Sequence, residues 1–152
     1  MTYSVEPIGF VHSSRHEVVD DAWDEETTSI ELVDSFGPEA LAGLDDFSHV
    51  EVVYLFDRVD PGAVHRGTRR PRGNPAWPEV GIFAQRGKDR PNRLGLSTCE
   101  LLAVEGRRLV LRGLDAVDGT PVLDVKPWFE EFGPRGPVRQ PAWSHQLMAG
   151  YF

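Results

Sequence analysis

Side chains that could do chemistry are concentrated in three segments of the 152-residue sequence, and the most basic of them is residues 81–97 (GIFAQRGKDRPNRLGLS). It carries Arg86, Arg90 and Arg93 between two apolar runs. A guanidinium can pair a carboxylate or a phosphate through two parallel hydrogen bonds, so one interpretation is an anion-binding site. The other is a solvated basic turn. The position between two apolar runs counts against the second interpretation.

The second segment is residues 114–127 (LDAVDGTPVLDVKP). Asp118-Gly119 most commonly forms a plain turn, although glycine also lets a ligand approach the backbone closely. Asp124 and Lys126 are two positions apart on a predicted strand and should share one face. They are either a structural ion pair, which we favour, or a general base with the charge that tunes its pKa.

The third segment is residues 44–57 (LDDFSHVEVVYLFD), which carries His49. His49 is either a buried histidine at the start of a strand or a base that accepts a proton from a nucleophile. Trp23 stands alone in an acidic stretch, where it is either a hydrophobic plug or a ring that contacts a cationic ligand. The five histidines show no metal-ligand spacing and Cys99 is the single cysteine, so we expect no metal site.

The net charge of −8 is distributed unevenly. Residues 1–60 sum to −13, residues 61–93 to +6 and residues 94–152 to −1. The middle segment is therefore the one place with a bias towards anions, while the chain as a whole lacks the basic character of typical nucleic-acid binders. No apolar run approaches the length of a membrane span and the first residues do not resemble a secretory signal, so a cytoplasmic protein is expected.

Short strands separated by turn residues predict a mainly β chain, a barrel or a sandwich. The 15 glycines and 12 prolines agree with many turns. We predict a doubly buried central strand over 48–57, a hairpin that turns at Glu105-Gly106, a short helix over 38–44 and a loop over 58–78.

These segments, together with PIGFVHS at residues 7–13, resemble the TsaA-like, or TrmO-type, family of S-adenosylmethionine-dependent methyltransferases. The similarity extends from about residue 5 to residue 128, and the runs at 81–97 and 118–127 are long and ungapped. It implies a small single β-barrel with short helices, S-adenosyl-L-methionine as cofactor and a homodimer with the donor near the subunit interface. The length of the chain predicts one domain over 1–152, in which the resemblance covers a barrel at about 5–128. The aromatic residues beyond it predict a strap at 129–152 that docks on the barrel or on a partner subunit.

The resemblance also implies site residues. The cofactor contacts are expected at Phe56, Asp57, Arg86, Leu96, Asp118, Gly119, Thr120 and Pro121. Arg86 can pair the donor's carboxylate, and the apolar side chains can pack on its adenine or methionine arm. The residue types and charges, apart from the resemblance, suggest acceptor contacts at Trp23, Arg69, Arg70, Arg90 and Asn92. On the same grounds, the catalytic candidates are His49, Asp124 and Lys126.

The family's founding activity is methylation of N6 of a threonylcarbamoylated adenosine beside the tRNA anticodon, and this sequence departs from the pattern of the tRNA enzymes in two places. Their P-R-Q-P-G motif corresponds here to the acidic VVDDAWDEETT (18–28), and Phe56-Asp57 stands where they have Phe-His. Both changes put negative charge where an RNA phosphate would approach. Three functions stay open: a tRNA adenosine methyltransferase, a methyltransferase of a small or peptide-like metabolite, and a non-catalytic donor-binding module.

Overall fold

A computed structural model describes residues 1–17, 20–23 and 27–152, and it confirms the predicted mainly β barrel. The strands of the described residues are β1 (Gly9–His12), β2 (Thr27–Leu32), β3 (His49–Leu55), β4 (Thr68–Arg69), β5 (Val80–Gly81), β6 (Leu94–Glu105), β7 (Arg108–Arg112) and β8 (Pro121–Pro127). Six of them close an antiparallel barrel in the order β1-β2-β7-β6-β3-β8, while β4 and β5 pair separately.

The core fills the barrel because alternate side chains of each strand point inward. On β3, Val50, Val52 and Tyr54 are buried, whereas Val53 and Leu55 on the opposite face are half-buried. The prediction of a doubly buried strand over 48–57 is therefore wrong, since a barrel covers only the inner face of its strands.

The local predictions have mixed outcomes. The hairpin of β6 and β7 turns at Gly106, whose φ is +62°, as predicted. The predicted helix over 38–44 is instead two 3-10 turns, Pro38–Leu41 and Leu44–Asp46, because Gly43 between them is left-handed with a φ of +83°. The predicted loop over 58–78 contains β4, whose backbone pairs with β5.

One end of the barrel, called the site end below, brings several of the chemistry-bearing segments together. Since neighbouring strands of the barrel are antiparallel, the C-terminal ends of β1 and β3 lie beside the N-terminal ends of β2, β6 and β8. The residues after β3, those before β6 and the turn before β8 therefore gather here.

Residues 129–152, the strap, contain a 3-10 turn at Glu130–Phe132 and the helix α1 (Ala142–Met148). The ring of Phe129 stacks on Phe47 at 5.4 Å, and the indole N–H of Trp77 donates to Gln146 over 2.8 Å. In the described part of the chain, no helix has the length and hydropathy needed to cross a bilayer.

Candidate functional site

Phe56 and Asp57 follow β3 directly at the site end. The Phe56 backbone N–H donates to the Arg93 carbonyl over 2.8 Å, which fixes the residues before β6 against the end of β3. The Phe56 ring meets the buried ring of Tyr54 edge-on at 5.3 Å. Phe56 is half-buried and Asp57 is exposed, so this edge offers an apolar ring and a carboxylate to a ligand.

Arg58 joins the end of β3 to the turn at residues 118–121. Its Nη2 donates to the Asp118 carbonyl over 2.8 Å and its Nη1 to the His16 carbonyl over 2.6 Å. Sequence analysis missed this role, although Arg58 directly follows the singled-out Phe56-Asp57 pair. Two of the segments that the resemblance assigned to the cofactor are thus brought together.

The turn at 118–121 is held from inside the protein. The Asp118 carboxylate accepts the Ser13 N–H over 3.0 Å and lies 3.5 Å from His16 Nδ1. The buried Thr120 hydroxyl donates to the Val117 carbonyl, and the Gly119 N–H donates to the Val11 carbonyl. Gly119 is exposed and has a φ of +82°, a conformation that favours glycine. The turn therefore offers a ligand the exposed backbone of Gly119.

Arg86 and Leu96 form a second contact on the outer surface. Arg86 Nη2 donates to the Leu96 carbonyl over 2.7 Å, and both side chains are exposed. Leu96 lies opposite Val53 on β3, while the neighbouring Leu94 lies opposite Leu55. A guanidinium has five N–H donors, so Arg86 can hold Leu96 and still pair a ligand carboxylate.

Of two surface cavities, one lies beside the turn at 118–121 and the other lies around His49 at the start of β3. One has a volume of about 310 Å³ and reaches Asp118; its lining is mostly hydroxyl-bearing or basic and comprises His12, Ser13, Ser14, Thr27, Thr28, Ser29, Arg108, Val110 and Asp118. The other has a volume of about 330 Å³ and includes His49, Arg112 and Phe152 in its lining. Of the residues predicted for the cofactor, only Asp118 lines either of these two cavities.

Two of the catalytic candidates, Asp124 and Lys126, contact each other on β8, while the third, His49, begins β3. His49 is exposed, with Nδ1 2.7 Å from the Ser48 hydroxyl, and it begins β3, roughly 20 Å along the strand from Phe56 at ~3.3 Å per residue. Asp124 lies across β3 from Leu96, since both pair with Val53. Its carboxylate is 2.9 Å from Lys126 Nζ, and this hydrogen bond raises the pKa of the lysine. Asp124 is therefore the candidate nearer to Arg86 and Leu96.

The acceptor candidates mostly contact other parts of the chain. Trp23 is 4% exposed, with the Arg15 guanidinium 4.0 Å above its ring. Three arginines bind internal acceptors: Arg69 binds Asp89 at 3.1 Å, Arg70 the Trp77 carbonyl and Arg90 the Gln85 carbonyl. Asn92 is exposed, with a φ of +63°. None of these residues is shown to bind an acceptor, so their assignment stays a prediction.

Ion pairs connect the acidic and basic segments. Lys88 Nζ lies 3.7 Å from Asp20, and Arg72 Nη2 lies 3.0 Å from Asp21. Part of the acidic stretch 18–28, namely residues 18–19 and 24–26, lies outside the described residues. The positive charge of residues 61–93 is thus partly neutralised within the fold.

The half-buried Asp115 carboxylate, in the connection between β7 and β8, accepts hydrogen bonds from three hydroxyl groups, and sequence analysis missed this cluster. Tyr54 donates to Oδ1 over 2.7 Å, Ser97 donates to the same oxygen, and Tyr151 donates to Oδ2 over 2.5 Å. Burial and the nearby carboxylate raise the pKa of both phenols. Within the described ranges, no three His, Cys, Asp or Glu side chains are grouped so that they could hold a metal ion.

Comparison with known proteins identifies relatives over most of the chain. The family model of the tRNA-methyltransferase O N-terminal domain matches residues 16–133. A putative S-adenosylmethionine-dependent methyltransferase, RcsF, from Pseudomonas aeruginosa is 38% identical over 139 residues, covering 84% of this chain and 58% of the relative. A human tRNA (adenine(37)-N6)-methyltransferase is 37% identical over 102 residues, covering 67% of this chain and 23% of the relative.

A solved structure agrees with these matches. The crystal structure of TrmO from Pseudomonas aeruginosa superposes with a TM-score of 0.73 at 33% identity, covering 91% of this chain and 62% of that one. The chain therefore spans less than two thirds of the length of each of these three proteins.

Proposed function

The chain belongs to the tRNA-methyltransferase O N-terminal domain family, and on that basis we propose that it is an S-adenosylmethionine-dependent methyltransferase. One observation carries the proposal: at the site end, Arg58 joins the end of β3 to the turn at 118–121. Arg86 and Leu96 meet on the adjoining outer surface of β6.

The chemistry of these residues fits S-adenosylmethionine. Arg86 is suited to the donor's carboxylate, Phe56 and Leu96 to its apolar parts, and the Gly119 backbone to its adenine or ribose edges. The Asp57 carboxylate can lie beside the positive sulfonium. When bound, the cofactor supplies an electrophilic methyl group, and the protein holds it in line with the acceptor atom.

We propose adenosine in tRNA as the acceptor. The support is the activity for which relatives are named, among them the human tRNA (adenine(37)-N6)-methyltransferase. Asp124, on the same outer surface as Leu96 and opposite the same residue of β3, is the proton acceptor that the arrangement favours. Its hydrogen bond to Lys126 would hold the carboxylate in place.

A small or peptide-like metabolite is the second candidate acceptor, and the electrostatics of the chain favour it. Residues 1–60 sum to −13, and Arg69 and Arg72 of the basic segment are paired with Asp89 and Asp21. RNA-binding enzymes draw much of their affinity from phosphate contacts, which need free cations.

We also propose a homodimer formed through the outer face of β3 and β6. Leu94 is 43% exposed and Leu96 is 46% exposed on this face, and Phe83 of the preceding segment is 75% exposed. Exposed apolar side chains that cluster on one face commonly mark an interface. The division into a barrel over 5–128 and a strap over 129–152, and a cytoplasmic location, remain predictions.

A transfer assay separates the candidate functions. The protein is incubated with S-adenosylmethionine tritiated on its methyl group, together with bulk tRNA and a small-molecule extract, both from a strain that lacks the gene. Label in tRNA supports the first acceptor, and label confined to the extract supports the second. If the protein binds the donor but transfers label neither to tRNA nor to the extract, the result would contradict an enzymatic function and favour a donor-binding module.

A further inference from the structure

The side chain of Tyr151, in the strap, contacts the half-buried Asp115, which lies in the connection between β7 and β8. Its hydroxyl donates over 2.5 Å to Oδ2 of Asp115, and the other oxygen of this carboxylate accepts the hydroxyls of Tyr54 and Ser97. Because the pKa of the Tyr151 phenol is raised, it remains a hydrogen-bond donor throughout the neutral range. Asp115 thus anchors the strap to the core.

The backbone of the same segment holds the turn at residues 20–23, called the Trp23 turn below. The Trp23 N–H donates to the Tyr151 carbonyl over 2.8 Å, and the Ala22 N–H donates to the Gly150 carbonyl over 2.9 Å. Ala22 has a φ of +64°, a left-handed conformation that a residue with a Cβ rarely adopts. The surrounding contacts must therefore impose this conformation.

Arg15 completes the enclosure of the Trp23 turn. Its Nη1 donates to the Asp21 carbonyl over 2.8 Å and its Nη2 to the Ala22 carbonyl over 3.0 Å, while the guanidinium covers the Trp23 ring. The turn is thus fixed by Arg15 on one side and by the strap on the other.

The Trp23 turn connects two parts of the proposed donor site. The Arg15 carbonyl accepts the Asp118 N–H over 2.8 Å, which links the Trp23 turn to the turn at 118–121. On the other side, Asp20 pairs with Lys88, two residues beyond Arg86. A change in the conformation of the Trp23 turn would therefore shift both the turn at 118–121 and the segment that contains Arg86.

We infer that Tyr151 is a positioning residue for the donor site, which it shapes through Asp115 and the Trp23 turn without touching the donor. The inference rests on the proposed function, because it takes S-adenosylmethionine as the ligand. The strap thus also fixes the Trp23 turn. Without the hydrogen bond from Tyr151 to Asp115, the left-handed Ala22 can relax and the Trp23 turn is no longer held beside Asp118.

The test removes one hydroxyl group and leaves the ring in place. Tyr151→Phe is compared with Tyr3→Phe, which removes the hydroxyl of an exposed tyrosine far from these contacts in the sequence. Hydrogen exchange followed by NMR reports on the Ala22 and Trp23 amides, and calorimetry reports the dissociation constant of S-adenosylmethionine. Both are measured on the full chain, with thermal unfolding as a check on the fold.

We expect Tyr151→Phe to speed exchange at both amides and to weaken donor binding roughly three- to tenfold, while exchange in β3 and β6 is unchanged. Tyr3→Phe should match the wild type in both measurements. Faster exchange with an unchanged dissociation constant overturns the positioning role. Unchanged exchange overturns the anchoring of the turn, whatever the affinity. A wild-type chain that binds no donor overturns the proposed function itself, and this is seen before any substitution is made.

Discussion

The contact between Gly95 and Tyr54 shows how one residue shapes the site end. A Cβ on Gly95 would lie 2.4 Å from Cε2 and Cζ of the Tyr54 ring, so only glycine leaves room for the ring. Tyr54 in turn supports Phe56 and donates to Asp115. We expect Gly95→Ala to lower the free energy of unfolding by about 1–3 kcal/mol, the usual cost of overpacking. Urea denaturation measures it.

Gly81→Ala is the matched control, because a Cβ there would have no atom within 4 Å. We expect it to change the free energy of unfolding by about 0.5 kcal/mol or less. Equal stability of the two variants would show that Tyr54 is not packed against Gly95 as described.

Cys99 provides a second test at the residue scale. The thiol is 1% exposed, and burial raises its pKa to about 12. Because the pKa is raised, the group stays a neutral thiol at pH 8, and the thiolate is the form that reacts. We expect a disulfide reagent at pH 8 to label the folded protein far more slowly than the urea-unfolded chain. Labelling of the folded protein at the rate of a free cysteine would contradict the burial.

At the scale of elements, the segment between β3 and β6 contains most of the positive charge, but internal partners occupy several of its arginines. Arg66 is exposed in this segment, so it is the better probe of an RNA contact than Arg69 or Arg70. If tRNA is the acceptor and docks here, Arg66→Glu should weaken tRNA binding and reduce the slope of log affinity against log salt by about one unit.

Filter binding across a series of salt concentrations measures this slope. Arg139→Glu, an exposed reversal in the strap, is the control and should leave it near the wild-type value. An unchanged slope for Arg66→Glu would remove this segment from the RNA contact. A wild-type chain that does not bind tRNA would favour the metabolite acceptor.

The strands and the hairpin were predictable because alternation and turn residues are local signals. The prediction of a helix over 38–44 was wrong because the left-handed Gly43 divides this segment. Strand β4 was missed because two residues are too few to show an alternating pattern. The joining of the Phe56-Asp57 segment to Asp118 through Arg58 could be expected only through the family resemblance, since it arises from barrel closure. Arg58 contacts Asp118, 60 positions away in the sequence, and Tyr151 contacts Asp115, 36 positions away. Contacts between residues so far apart leave no local sequence pattern.

At the scale of the whole molecule, substitutions on the outer face of β3 and β6 can test the proposed homodimer. Leu94→Glu puts a charge in the exposed apolar face of β3 and β6, and it should convert a dimer to a monomer because a specific interface does not accept an unpaired buried charge. Leu102→Glu, on the same strand with 39% exposure, is the control and should remain dimeric. Sedimentation measures both. A wild-type monomer at micromolar concentration would contradict the dimer.

The binding of S-adenosylmethionine at the site end is the premise of every function proposed for this chain. Calorimetric titration of the donor into the wild type, Arg86→Ala and the exposed control Arg139→Ala tests this directly, with thermal unfolding to confirm the fold. We predict that the wild type and Arg139→Ala bind alike and that Arg86→Ala loses about 1.5–3 kcal/mol, the value of a charge-assisted hydrogen bond. No heat of binding with the wild type, or an unchanged dissociation constant in Arg86→Ala, would contradict the account.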